Sequence, residues 1–453
     1  MRPITATRAP ERPIGAYDHP RPDANDPDGK PNMSEHDHPG GLAHPRQPMT
    51  GRDPDEPGRV ATPLELLFDL TFVVAVGTAA SFLAETLAGG HVVPGITAFV
   101  LAMFAISVAW ISFSWFASAF DTDDWLYRAL TMLQMIGVVV FALGLPALFT
   151  GLAEESRLEV RVIVLGYVVM RVAMVLQWWR AARESPEFSA VGFANIRWTV
   201  LAQVGWVVLA FANLPLGVAL AAFVLLGLLE LALPVFAQGR AHGTPWHPHH
   251  VAERYSAFAI ITLGEGVVGT IASSGELLGG GSGVNWSGDA VAVVVAGVGL
   301  TFGMWWVYFA TPFGGVLEQR RARGYLFGYG HILVFGGIAG TGAGLHLAGL
   351  QLEHHSTIGN ATVVLALAVP LGLYLLVVYL LHALLLSEAD GFHVLLLVIT
   401  LGVLGAAVAL AAAGVGIAAC LLVVMLAPYV TVLGHETIGH RHQRRALDGL
   451  RRR

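Results

Sequence analysis

The stretch VAERYSAFAIITLGEGVVGTIASS, residues 251–274, opens with Glu253 beside Arg254 and then runs apolar until Glu265, set between Gly264 and Gly266. At 1.5 Å per helical residue, 24 residues exceed the roughly 30 Å of hydrocarbon in a bilayer. The stretch therefore reads as a membrane span with a carboxylate deep inside it. Runs of the same kind fill the chain on either side. Before it they lie near 64–88, 95–118, 127–150, 158–180, 196–213 and 216–237, and after it near 289–312, 324–349, 358–383, 391–413 and 416–434. That makes about 12 transmembrane helices in an all-α polytopic membrane protein. The AAAGVG stretch at 411–416 has to supply the tight turn between the last two, the alternative being one long re-entrant segment. Composition agrees: 55% of the 453 residues are hydrophobic and 13% are charged, against about 25% charged in a soluble domain.

Outside the runs the chain changes character. Residues 1–60 are rich in Pro, Gly, Asp, His and Arg and carry almost no large apolar residue. Such a segment buries too little surface to offset its ordering entropy, so it is expected to be a disordered leader. It has no apolar core of a signal peptide. His36, His38 and His44 read as part of a solvated tail. The single cysteine, Cys420, excludes an internal disulfide.

Basic residues set the orientation. The leader holds eight Lys and Arg and the last segment six Arg. Arg128, Arg180, Arg183, Arg197, Arg240, Arg254, Arg320, Arg321 and Arg323 border loops on the same side. The opposite loops offer Arg157 and Arg161. An even span count places both termini in the cytoplasm.

The halves echo one another. VGTAAS at 76–81 recurs as VGTIAS at 268–273, WFASAF at 115–120 as YFATPF at 308–313, and VVVF at 138–141 loosely as ILVF at 332–335. The expected organisation is a leader (1–60), a first six-helix repeat (61–240), a second (241–435) and a basic cytoplasmic tail (436–453). Six helices per repeat make the two parallel, an arrangement shared by transporters and some channels.

Charges inside spans cost roughly 2.5–3.5 kcal/mol on insertion scales, so each one needs a partner or a function. In TPLELLFDLTF, residues 62–72, Thr62, Pro63 and Glu65 fit N-cap, N1 and N3, the pattern of a capping box. Asp69 lies one turn deeper on the same face, where no cap needs it. It would line a polar pathway or pair with a residue such as Arg128. Glu253 and Arg254 fit a surface or packing pair. Arg171 is too far from either end of its span to snorkel, and Glu265 at similar depth is its natural counter-ion. Glu230, nearer a span end, is a weaker candidate. His331, His346 and His382 read as packing residues, with proton relay as the alternative. WHPHH at 246–250 does not suggest a defined metal site. No P-loop, GxSxG or HExxH is present, and HETIGH at 435–440 misses the zincin spacing. These absences argue against an enzyme and against any cofactor.

TPLELLFDLTFVVAV at 62–76 and AERYSAFAIITLGEGVV at 252–268 closely resemble the two signatures of the bacterial low temperature requirement protein A family, over roughly residues 60–435. The matching residues are Glu65, Leu66, Phe68, Asp69 and Leu70, then Glu253, Arg254, Leu263, Gly264 and Glu265. The resemblance implies a multi-pass bacterial membrane protein named for a cold-growth phenotype, with no settled substrate. A looser similarity links Phe68, Asp69 and Phe72 to lysosomal-type potassium channels with an FSD motif. The reading is an inner-membrane secondary transporter of an unknown small solute or ion, with proton coupling as one option, and with Asp69, Glu265, Arg171, Glu65, Glu253 and Arg254 along its pathway. A cation channel, or a sensor or scaffold, is the alternative. The expected partners are the lipid bilayer and that solute, with a homo-oligomer compatible and nucleic acid excluded.

Overall fold

The computed structural model describes residues 44–239, 243–274, 288–386 and 391–440, and the chain from Arg46 onward is one structural unit. Among the described residues it is built of helices and turns. The helices are α1 (Pro63–Ala88), α2 (Val92–Phe120), α3 (Trp125–Leu143), α4 (Leu145–Ala153), α5 (Arg161–Glu184), α6 (Ser189–Phe211) and α7 (Leu216–Gly239). The second series is α8 (Pro248–Ser274), α9 (Gly288–Phe309), α10 (Phe313–Gln319), α11 (Gly324–Leu352), α12 (Asn360–Leu386), α13 (Gly391–Ala412) and α14 (Ile417–Gly434). Counting α3 with α4 and α9 with α10, 12 helices among the described residues are long and apolar enough to cross a membrane.

Local chemistry fixes the ends. Thr62 caps α1 through its side chain, Glu65 reaches back to the Thr62 N–H at 2.8 Å, and Pro63 opens the first turn. Asp124 caps α3 by accepting from Tyr127 N at 2.8 Å. The AAAGVG turn closes as expected: Gly414 takes φ +88°, a left-handed conformation that favours glycine, and Val415 N donates to Leu410 O. WHPHH straddles a helix start: Trp246 and His247 precede α8, which begins at Pro248.

In the first half α1 packs on α2 and α3, α3 on α5, α5 on α6, and α6 on α7. In the second half α8 packs on α9 and α11, α11 on α12, α12 on α13, and α13 on α14. The halves meet chiefly where α1 and α8 lie against each other and against α11. The run GGIAGTGAG at 336–344 makes α11 the most buried span, because small residues let neighbouring backbones approach. An aromatic core fills the centre, with Trp110 stacked on Phe258 at 4.4 Å and edge-on to Phe335.

The outside is apolar. Leu66, Leu67, Leu70 and Val74 leave one face of α1 exposed, and similar faces recur along the spans. Such a surface fits hydrocarbon, where helices satisfy their own backbone groups.

The expected leader divides. Residues 1–43, including His36 and His38, lie outside the described residues, as does most of the basic tail. Residues 46–60 pack against helix ends, contrary to the expectation of a disordered leader through residue 60. Arg52 N donates to Ala119 O at 2.9 Å, Arg59 donates to Ser118 O at 2.6 Å, and Met49 is fully buried. Polar anchoring to exposed helix-end carbonyls replaces the apolar burial that the composition lacks.

Candidate functional site

Three charged groupings lie in the membrane-spanning bundle, and they differ in how completely their charges are paired.

The first joins α1 to α8. Glu65, one turn before Asp69, places both carboxylates on the inner face of α1, and both are fully buried. Arg254 of α8 lies between them. Its Nη1 donates to Glu65 at 2.8 Å, its Nη2 to Asp69 Oδ1 at 2.5 Å and its Nε to Asp69 Oδ2 at 3.3 Å. Trp110 Nε1 also donates to Asp69 Oδ1 at 2.7 Å, and His250 Nε2 lies 3.2 Å from Glu65. The expected pairings are thereby corrected. Arg254 is fully buried away from Glu253, which is exposed. Arg128 pairs with Asp123 at 2.7 Å rather than with Asp69. Removing water strengthens attraction within the cluster, and its full set of donors meets the desolvation penalty. This grouping is a clamp between the two halves. His250 and Trp110 were missed from the sequence; His250 lies at i−4 from Arg254, a spacing that could have flagged it.

The second is Glu265 alone. It lies 17 residues from the start of α8, about 25 Å along the axis. It is half-buried and has no hydrogen-bond or ionic partner among the described residues. Glycines make its niche: a Cβ at Gly77 of α1 would lie 2.6 Å from Glu265 Oε1, and one at Gly342 of α11 would lie 2.9 Å from the Glu265 backbone. A carboxylate with no fixed cation in this position can take a proton or a small cation and release it.

The third grouping holds Arg171. It does not meet Glu265. Its guanidinium stacks over Tyr167, donates through Nη2 to Tyr167 Oη at 2.6 Å, and lies 3.8 Å from Glu230 of α7. Tyr167 Oη donates in turn to Glu230 at 2.5 Å, and Gln203 adds a longer bond at 3.4 Å. Tyr167 precedes Arg171 by one turn, a pattern visible in the sequence that the depth argument passed over. Among the histidines, His331 is a packing residue, bonded to Phe327 O at 2.7 Å and Tyr308 Oη at 3.0 Å.

At the helix ends where α1 begins, Arg180 pairs with Asp124, and both are buried. The same two residues hold the 46–60 segment: Arg180 donates to Gln47 O, and Asp124 accepts from Gln47 N at 3.0 Å. In the adjoining loop, burial pushes the Asp121 carboxyl up to about 6, with the Glu65 carboxylate adding to the effect.

The model of the family described as bacterial low temperature requirement A protein matches residues 60–428. An uncharacterized protein of Rhizobium meliloti (strain 1021) is 26% identical over 315 residues, covering 67% of this chain and 72% of that one. No solved structure matches.

Proposed function

The chain belongs to the bacterial low temperature requirement A family, and we propose that it is a secondary transporter, driven by protons, for a small solute. One observation carries the reading: Glu265, deep in α8, is without a partner among the described residues, while the other two carboxylates at the junction of the halves are paired. A structural charge in hydrocarbon is expected to be held by a counter-ion, as Glu65 and Asp69 are. One left open at an interface of several helices suits a group that is loaded and unloaded in a cycle. Glycines at the contacts with α1 and α11 would let the helices shift past it with little steric resistance. Most consecutive spans pair alike in the two halves, which supports reading them as parallel six-helix repeats, although α9 packs extensively on α14 while the corresponding α2 barely touches α7. Asp69, Glu65 and Arg254 then act as the hinge clamp between the repeats rather than as the pathway. The arginine distribution supports an inner-membrane protein with both termini cytoplasmic.

The test is flux in proteoliposomes under an imposed pH gradient, comparing wild type with Glu265→Gln. Saturable proton-linked uptake in the wild type, abolished in a variant that elutes and melts like it, is expected. Non-saturating current would replace the transporter by a channel. Equal flux in both proteins would remove Glu265 from the mechanism.

A further inference from the structure

We infer that the cleft walled by α2, α5, α6, α7 and α11 binds a small organic carboxylate with a flat apolar or aromatic body. This site is separate from the Glu265 niche and goes beyond the transport reading, because binding here is measurable without flux.

The cleft is a partly open recess with a cavity volume of about 90 Å³, below the roughly 300–1,000 Å³ of a drug-sized site, so it suits a ligand of one ring that extends towards the open side. Trp115, Trp178, Trp198 and Tyr325 contribute aromatic surface from four chain segments, and Arg171 and Glu230 reach it from α5 and α7. Aromatic walls suit a flat body, whose faces and edges they can contact at low entropic cost.

The charged pair identifies the sign of the ligand. Glu230 is well supplied with donors, from Tyr167, Gln203 and nearby Arg171. Arg171 is not equally supplied with acceptors. It is 6% exposed, yet Nη2 is its one donor with a hydrogen-bond acceptor among the described residues, and Nε is buried with none. A guanidinium carries five N–H groups in a fixed fork that fits a carboxylate side-on. A buried Nε–H without an acceptor loses its water without compensation, so a ligand carboxylate at this edge would supply what the protein does not. Glu230, 3.8 Å away, sets the upper limit of charge. The Arg171–Glu230 pair is close to neutral overall, so a monoanion on Arg171 is accommodated, whereas a dianion such as phosphate carries a desolvation cost that rises faster than its attraction to one guanidinium. Tyr167 holds Glu230, and the donors of Arg171 other than Nη2 are left without an acceptor among the described residues.

The test uses purified protein in detergent and three probes that share a phenyl ring and differ in charge, benzoate, benzyl alcohol and benzylamine, with inorganic phosphate as a fourth. Binding is read by isothermal titration and by the shift in melting temperature. Benzoate should bind saturably, about tenfold or more tighter than benzyl alcohol, the discrimination expected of a charge-assisted pair. Benzylamine and phosphate should not compete. Arg171→Lys should lose most of the preference for benzoate over the alcohol. If that variant melts far below the wild type, Trp198→Ala, on the half-buried wall, provides the second measurement and should weaken benzoate and benzyl alcohol together. Equal binding of benzoate and its alcohol, tighter binding of benzylamine, or no binding of any probe would each overturn the proposal. Glu265→Gln should bind benzoate as the wild type does. A variant that keeps binding and loses flux separates the two sites, and flux without benzoate binding would overturn this inference while leaving the Glu265 reading intact.

Discussion

Arg254 of α8 closes on Asp69 of α1 through two donors, Nη2 at 2.5 Å and Nε at 3.3 Å, with both side chains fully buried. The residues are 185 positions apart, and no other fully buried charge pair among those described links the two halves so directly, apart from Arg254 with neighbouring Glu65. Replacing Arg254 with Met would leave two carboxylates in a dry interior facing each other. Breaking such a pair costs about 3–5 kcal/mol, so Arg254→Met should melt far below the wild type or fail to accumulate. Adding Glu65→Gln and Asp69→Asn to it should restore much of the stability, because no charge then remains unpaired. A single Arg254→Met protein with wild-type melting in nanodiscs would show that the clamp does not hold the halves together.

The 46–60 segment depends on the same kind of pairing at the helix ends. Arg180 and Asp124 together bind both the N–H and the carbonyl of Gln47, while Glu184 accepts from Met49 N at 2.7 Å. Arg180→Ala combined with Asp124→Asn should free this segment while leaving the spans folded, because no unpaired buried charge then remains and Asn still caps α3. Limited proteolysis should then cut between residues 46 and 60 much faster than in the wild type. Unchanged cleavage there would mean that the segment is held by Arg52 and Arg59 without help from the Arg180 pair.

Asp121 gives stability a defined pH dependence. Burial and the neighbouring Glu65 carboxylate raise it from an ordinary 3.8 to about 6 in the folded protein. The folded state therefore binds this proton more tightly than the unfolded state. The contribution is fully present below about pH 4 and is lost as pH rises through about 6, amounting to something on the order of 3 kcal/mol. Asp121→Asn, which keeps an acceptor for Asp123 N, should raise the melting temperature strongly at pH 7.5 and much less at pH 4.5. An equal shift at the two pH values would refute the assignment.

The spans were legible because the hydrocarbon thickness imposes their length and because Pro63, Thr62 and Glu65 mark a helix start in any context. The partners of the charges were not, and the reason is geometric. Depth along a helix ranks Arg171 with Glu265, but which helix faces which is decided by tertiary packing, and α5 turns Arg171 towards α7. Likewise Arg254 looked like half of a surface pair with Glu253 because the two are adjacent in sequence. Adjacent helical residues point about 100° apart, so one is exposed and the other is in the core. Glu65 shows the opposite case: its capping role was readable, while its ion pair with Arg254 was hidden 189 residues away. The docking of residues 46–60 escaped notice because composition reports apolar content and is blind to hydrogen bonds with helix-end carbonyls.

The two glycines around Glu265 make the last prediction, because they obstruct different things. At Gly342 a methyl group would lie 2.9 Å from the Glu265 backbone, so α8 and α11 would have to separate. Overpacking of this kind costs about 1–3 kcal/mol, and Gly342→Ala should lower the melting temperature. At Gly77 the methyl would lie 2.6 Å from the Glu265 carboxylate oxygen, the free end of a flexible side chain. That side chain can turn aside, so Gly77→Ala should melt close to the wild type. Its effect should fall on proton-linked flux, since the carboxylate is displaced from the niche between α1 and α11. Flux and melting measured on both variants separate a carboxylate that works by position from one that merely fills space. If Gly77→Ala transports like the wild type with unchanged apparent affinity for protons, the position of Glu265 against α1 has no part in the cycle.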